Sequence, residues 1–465
     1  MPGRLVVVSN RVAPVSGKQA ASAGGLAVGV HAALARRGGL WFGWSGAIVA
    51  EPDEKPRLQR SGNITYALVD LNETEHDGYY LGFANRTLWP AFHYRIDLAN
   101  FDRGAQDIWR QVNRRFAAQL QPLLRPDDRI WIHDYHLIPL GRELRRLGVD
   151  ARIGFFLHIP FPAPELFTAL PFHGSLADDL LAYDVVGFQT RRDMRQFVDY
   201  LLDERDGVAG EGGQIAADGR SVTVGAYPIG IDVDDVVKMA SSTEGQRHAA
   251  SLAATLHGRQ LVIGVDRLDY SKGIPERLRA FEQLLREHKD WRGGVTFVQI
   301  SAPSREDVPE YQNLRRSVER LAGHINGRLG DADWTPVRYV NRSYNRKTLA
   351  GFYRVARVGL VTPLRDGMNL VAAEYVAAQD PQDPGVLMLS RFAGAAETMH
   401  GAVIVNPYDV DNSATALNQA LSMPLEERRE RHARMLASVR AHDIHHWSDQ
   451  FLAVLDGETR ERAVA

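Results

Sequence analysis

Short apolar runs, each closed by a polar turn and followed by a stretch with helical periodicity, recur along this chain. In the first half the runs lie at residues 5–9, 128–133, 153–157, 184–189 and 222–229, with a strand end at 41–46 (WFGWSG). In the second half they lie at 260–265, 295–300, 337–340, 358–361, 385–390 and 401–406. Continuous rather than alternating apolar character predicts strands buried on both faces, as in parallel sheets covered by helices. Helical periodicity is read at 26–37, 101–124, after His136 to Leu147, at 275–287, after Met368 and over 425–455, where Trp447 and Phe451 are apolar anchors and Pro424 suits a helix start. The alternation predicts an α/β protein with two doubly wound domains. Residues 1–230 are expected to form the first domain, 231–445 the second, and 446–465 a last helix crossing back. Two stretches resist the pattern. Residues 79–95 are crowded with aromatics without strict period, suiting core packing or a stacking wall for a sugar, and 203–220, rich in Gly, Asp and Ala, reads as an exposed loop.

Polar groups gather where the strands end. Residues 358–379 (VGLVTPLRDGMNLVAAEYVAAQ) read as buried strand, tight turn at Arg365-Asp366-Gly367, then helix. A helix N-terminus there offers unpaired N–H groups and partial positive charge to a phosphate, and Glu374 follows on a face that reaches toward a sugar hydroxyl. The turn after 260–265 carries Arg267 and Lys272 directly before a helix, and the pair suits a diphosphate, although Asp266 and Asp269 allow a surface salt-bridge cluster instead. Arg305 puts another cation after a strand. In the first half, strands run into Asp134-Tyr135-His136 and into His158, whose bland alternative is a pairing with a nearby carbonyl. Ligands of open parallel sheets bind outside strand carboxyl ends, so these positions are the candidate site.

Composition narrows the classes. The chain has 465 residues, 45% of them hydrophobic and 24% charged, too long for one ordinary core. A formal net charge of −2 gives no bulk reason to expect nucleic acid or an anionic membrane. The absence of cysteine removes disulfides, thiolate metal sites and cysteine nucleophiles, and fits a reducing compartment. The first apolar run is too short for a signal peptide and no segment reaches membrane-spanning length, so a cytoplasmic enzyme or binding protein is expected. The Gly24-Gly25 turn is not a G-x-G-x-x-G fingerprint, no Walker lysine loop is present, and no His/Asp/Glu metal cage is visible.

Seven motifs, LVVVSNR, SAGGLAVG, LWPAFHYR, WIHDYHL, IGFFLHIPFP, RLDYSKG and TPLRDGMNLVAAEYVAAQ, resemble in sequence and order those of bacterial trehalose-6-phosphate synthases, from Arg4 to about Trp447. The resemblance implies a GT-B fold, two Rossmann-like domains facing each other across a cleft, and a retaining transfer of glucose from a nucleoside diphosphate glucose, UDP-glucose first, to glucose 6-phosphate. The product is α,α-trehalose 6-phosphate, the first step of trehalose biosynthesis, with osmotic protection as the family's role, no cofactor or metal required, and a homo-oligomer (dimer or tetramer) expected. Matching motifs assign Arg11, Tyr80, Trp89, Asp134 and Arg305 to the acceptor, and Gly24 and Gly25 to a loop over the donor phosphates. Arg267 and Lys272 are assigned to the diphosphate together with the backbone of Met368, Asn369, Leu370 and Val371 after Gly367. Asp366 and His158 are assigned to the transferred glucose, Glu374 to the ribose and Tyr344 to the base. Asp266 stands where the family often has Glu. A catalytically silent sugar-phosphate sensor, a pseudo-glycosyltransferase coupling cyclitols and a nucleotide-sugar epimerase are the competing readings.

Overall fold

The computed structural model describes residues 3–12 and 25–458. They fall into two compact units, Met1–Ile229 with Ile444–Ala465, and Gly230–Asp443.

The strands of the first unit are β1 (Leu5–Arg11), β2 (Gly39–Ile48), β3 (Arg57–Ser61), β4 (Ile64–Leu71), β5 (Arg129–His133), β6 (Arg152–Phe156), β7 (Val185–Phe188), β8 (Val208–Ala209), β9 (Gln214–Ala217) and β10 (Arg220–Ala226). They form one sheet in the order β3-β4-β2-β1-β5-β6-β7-β10-β9-β8. From β4 to β10 neighbouring strands are parallel, and antiparallel pairing is confined to the two ends. Val6, Val7 and Val8 are fully buried, as a strand covered on both faces requires. The second unit contains β11 (Gln260–Arg267), β12 (Val295–Ala302), β13 (Val337–Val340), β14 (Val358–Val361), β15 (Val386–Ser390) and β16 (Val403–Val405). All its pairings are parallel, in the order β13-β12-β11-β14-β15-β16.

Each sheet changes direction once within its parallel part. In the first unit the chain builds outward from β1 through β2 and β4, then resumes on the other side of β1 with β5. In the second it builds from β11 through β12 to β13 and resumes beside β11 with β14. At such a switch point the two connections leave in opposite directions and open a crevice at the strand carboxyl ends. Those ends carry Arg11 and Asp134 in one unit, and the turns after Arg267 and Val361 in the other.

Three sequence expectations are corrected. The aromatic stretch is helical: His76–Leu88 is a 13-residue π-helix continued by the α-helix Trp89–Phe92. A π-helix bonds i to i+5, which widens the turn beyond 3.6 residues and hides the usual period. Residues 203–220 are a meander, because Asp218 (φ 51°) and Gly219 (φ 71°) close a tight hairpin between β9 and β10. The helical tail is two helices, Leu425–Ala441 and Ile444–Leu455, and the break coincides with the passage from the second unit to the first. The last helix packs on the first unit's sheet. The Phe451 ring lies so close that a Cβ on Gly154 or Gly187 would meet it at 2.8 Å, and it stacks on Trp131 at 4.9 Å.

Candidate functional site

In the first unit the predicted residues form one line of contacts. The Arg11 guanidinium, at the end of β1, lies 5.5 Å from the centre of the Trp44 ring. It passes over Gly46, which has φ 92° and whose added Cβ would sit 2.4 Å from a guanidinium nitrogen, so only glycine fits. Trp44 is 5.6 Å from the Tyr80 ring, and Tyr80 stacks on His136 at 5.8 Å and 10°. His136 touches Tyr135 at 3.9 Å, and Tyr135 lies 5.8 Å from the buried Trp89 ring. The π-helix thus places Tyr80 on the face that meets the β5 turn, nine residues before Trp89.

Asp134 has φ 75°, rare for a residue with a side chain. Its N–H donates to the Phe156 carbonyl at 2.8 Å, and its Oδ1 accepts from the His158 N–H at 3.2 Å. The strained turn thus fixes the carboxylate over the end of β6. Both ring nitrogens of His158 have protein partners. Gln189 accepts the Ile229 N–H through Oε1 at 3.0 Å, so its amide NH₂ faces His158 Nδ1 at 3.3 Å and donates to it. The proton of His158 is therefore on Nε2, which donates to His133 Nδ1 at 3.1 Å. Burial lowers His158 to about 3 and holds His133 well below its ordinary value, so both rings are neutral. As placed, His158 presents no uncommitted nitrogen to a sugar; a contact there requires exchanging one of these bonds. Gly25 opens the helix Gly25–Arg37, and Gly24 lies outside the described residues.

In the second unit two cation centres stand at the switch point. Lys272 closes a short 3-10 turn (Tyr270–Lys272) and forms an ion pair with Asp366; both are nearly buried. Gly273 follows in the left-handed region (φ 64°), with the Thr362 carbonyl 2.5 Å from where a Cβ would stand. That close approach brings the β11 turn onto the end of β14. Asp366 also accepts from Asn369 Nδ2 at 3.0 Å. Asn369 (φ 73°) precedes the helix Leu370–Ala378, whose N-terminus no side chain caps. Its Oδ1 is buried and has no partner among the described residues. Gly367 and Met368 complete the turn, which is anchored by Ala395 N–H donating to the Met368 carbonyl at 2.9 Å.

The second centre is Asp269, fully buried, with Arg305 Nη1 at 3.5 Å and Arg267 Nη2 at 3.8 Å from Oδ2. Asp266 is likewise buried and paired with Arg277 at 2.6 Å, so neither acid belongs to a surface cluster. Arg305 is nearly buried, whereas Arg267 is 43% exposed. Tyr344 is covered by the Arg342 guanidinium at 4.5 Å and edged by Phe352 at 5.4 Å. The Glu374 carboxyl is surrounded by protein although part of the residue remains accessible. Burial raises it to about 7, against a smaller lowering effect of Arg346.

Among the described residues, no group of three or more His, Asp or Glu side chains is placed to hold a metal ion. Residues not singled out by sequence are Trp44, His133, Gln189, Arg277, Tyr311 and Arg342. Most act through contacts between distant segments, which spacing does not reveal.

The chain matches the sequence model of glycosyltransferase family 20 over residues 3–456. It is 51% identical over 452 residues to the trehalose-6-phosphate synthase of Sinorhizobium fredii, a match covering 97% of each chain. Against the enzyme of the same name from Escherichia coli O1:K1 it is 50% identical over 452 residues, covering 97% of this chain and 95% of that one. Among solved structures it is similar to the UDP-forming α,α-trehalose-phosphate synthase of Burkholderia xenovorans in complex with glucose 6-phosphate. The TM-score is 0.94 at 50% identity, over 98% of this chain and 100% of that one. It is equally similar to an E. coli structure bound with UDP-2-fluoro glucose, with TM-score 0.94 and 50% identity over 98% and 99% of the two chains. The fold is the GT-B fold of these proteins. With a family model and curated relatives matching nearly its whole length, the chain belongs to glycosyltransferase family 20.

Proposed function

We propose that this chain is a retaining glucosyltransferase that joins glucose from UDP-glucose to glucose 6-phosphate, giving α,α-trehalose 6-phosphate and UDP. The observation that carries the reading is the placement of charge. Arg11 and Asp134 in the first unit, and Arg267, Lys272 and Asp366 in the second, follow the carboxyl ends of the strands flanking the switch point, where open sheets bind ligands. The uncapped start of Leu370–Ala378, with Lys272 paired to Asp366 just before it and Arg267 at the end of β11 in the same unit, suits a diphosphate. The relatives named as UDP-forming support uridine as the base, with Tyr344 beside it and Glu374 accepting from the ribose hydroxyls. Asp366 and the buried Asn369 Oδ1 are acceptors for hydroxyls of the transferred glucose. Arg11, Tyr80, Trp89, Asp134 and Arg305 are the residues assigned to glucose 6-phosphate.

Retention with two carboxylates requires a nucleophile and an acid about 5 Å apart. Here Asp366 is neutralised by Lys272, and the reading assigns no nucleophile. The acceptor hydroxyl attacks on the face that the diphosphate leaves, and a departing phosphate oxygen takes its proton. The C–O bond to the diphosphate breaks as the new glycosidic C–O bond forms. Arg267, Lys272 and the helix N-terminus stabilise the charge gathering on the leaving group, and the neutral His158 adds no competing cation.

The reading goes with a cytoplasmic homo-oligomer, dimer or tetramer, which light scattering of the purified protein checks. Among the described residues no helix is long and apolar enough to cross a membrane. The function itself is tested by following UDP release. Release that requires glucose 6-phosphate supports transfer, whereas equal release without it means hydrolysis and contradicts the proposal.

A further inference from the structure

The parallel register of β11 and β12 pairs Arg267 with Ala302, so the turn after Arg267 and the loop after Ala302 leave the sheet side by side. The Leu268 N–H donates to the Ala302 carbonyl at 2.8 Å and ties them together. Asp269 sits between them with no exposed surface. Its Oδ1 accepts from Ser271 N–H at 3.0 Å and Ser271 Oγ–H at 2.9 Å, which fixes the carboxylate plane. Its Oδ2 accepts from the Tyr311 hydroxyl at 3.1 Å and faces Arg305 Nη1 at 3.5 Å and Arg267 Nη2 at 3.8 Å. The arginines are anchored further: Arg305 Nη1 donates to Tyr311 Oη, and Arg267 Nη1 to Ser304 Oγ at 3.4 Å.

We propose that Asp269 is a positioning residue that presents two guanidiniums to two different substrates, Arg267 to the donor's diphosphate and Arg305 to the acceptor's phosphate. This rests on the function proposed above. Two guanidiniums this close repel each other, and a carboxylate between them lowers the charge of the trio from +2 to +1. A guanidinium has five N–H donors in a rigid fork. Asp269 engages Nη1 of Arg305 and Nη2 of Arg267, and so fixes the direction in which each planar fork lies. The Arg305 backbone (φ 49°) is also in the left-handed region, a conformation that its surroundings must hold in place. One buried carboxylate thus orders both phosphate-binding cations, and its loss acts on both substrates at once.

The test is a split of Michaelis constants. Asp269→Asn is expected to raise KM for UDP-glucose and for glucose 6-phosphate, each about tenfold, the scale of a lost hydrogen bond to a charged group. Ser304→Ala, which removes the hydroxyl that accepts from Arg267, raises the donor KM more than the acceptor KM. Tyr311→Phe, which removes a hydroxyl bonded to both Arg305 and Asp269 Oδ2, raises both constants, the acceptor KM more. Asp269→Glu recovers part of both. General loosening of the fold lowers active enzyme and kcat without sorting the two constants. Asp269→Asn with both KM values within twofold of the parent, or with only one moved, overturns the proposal. Should Asp269→Asn fail to fold, Tyr311→Phe decides, since its hydroxyl bonds Asp269: both KM values raised supports the proposal, and only one raised, or neither, overturns it. Should the parent protein form no trehalose 6-phosphate, the proposed function fails separately. Calorimetric titration with UDP and with glucose 6-phosphate then reads the same split in Kd.

Discussion

Lys272 and Asp366 illustrate how single residues carry this site. Each is nearly buried, and each neutralises the other, so neither stands as an isolated interior charge. A diphosphate that draws Lys272 toward itself leaves Asp366 free to accept sugar hydroxyls, which couples donor binding to the orientation of the glucose. Replacing Arg267 or Lys272 by Ala is expected to lower kcat by about 10²-fold or more, as for other preorganised charge stabilisers. Steady-state kinetics at saturating donor check this, and an unchanged kcat removes these residues from the mechanism. Glu374 gives a prediction with a sign. Burial raises its folded pKa to about 7, and ribose hydroxyls need the carboxylate form as acceptor. Donor KM should therefore rise as pH falls through about 7, while acceptor KM does not follow. The same shift costs stability: between the ordinary carboxylate pKa and about 7 the folded state binds more protons than the unfolded one, so stability falls as pH rises through that window. Glu374→Gln should accordingly raise Tm most above pH 7, and weaken donor binding with its pH dependence gone. A Tm gain that is the same at low and high pH would contradict this assignment.

At the scale of elements, most parallel strands were legible because burial on both faces leaves a continuous apolar signature, seen in 5–9 and 358–361, but β4, whose run is broken by polar Thr65 and Asp70, and the exposed β3 were not read. The turn residues were legible for the same reason, since strand ends fix where polar side chains emerge. The π-helix was not, because its wider turn breaks the period by which helices are found, and an aromatic-rich stretch without period reads as loop. The hairpin at Asp218-Gly219 carried its signal in that dipeptide, but it lay within a run of Gly, Asp and Ala that looked like a loop. Of the Asp269 network only the nearby Arg267 was legible, as a possible ion pair; Tyr311, Ser304 and Arg305 join it through side-chain geometry that no spacing records. Gly46 belongs to this scale too. It lets β2 run beneath the Arg11 guanidinium, so Gly46→Ala should displace that side chain. The expected result is a glucose 6-phosphate KM raised about tenfold or more with donor KM unchanged, measured by varying each substrate at saturation of the other.

Over the whole molecule, each unit is a separate parallel sheet with its own core, and each carries its charged or aromatic side chains at its own switch point. The last helix returns the chain to the first unit, with Trp447, Phe451 and the Arg129–Asp456 pair at 2.9 Å fastening it there. The second unit's cations and helix end suit a nucleoside diphosphate sugar, and the first unit's Arg11, aromatic rings and Asp134 suit a sugar phosphate, which fits the proposed function. The central claim is that this chain forms an α,α-linked disaccharide phosphate with retention. The most direct measurement incubates the purified protein with glucose 6-phosphate and, in parallel, UDP-, GDP- and ADP-glucose, and analyses the product by mass spectrometry and by proton NMR of its anomeric signals. The predicted result is trehalose 6-phosphate with both anomeric centres α, formed fastest from UDP-glucose. A product with an inverted β centre, or binding of both substrates with no disaccharide phosphate from any donor, would contradict it.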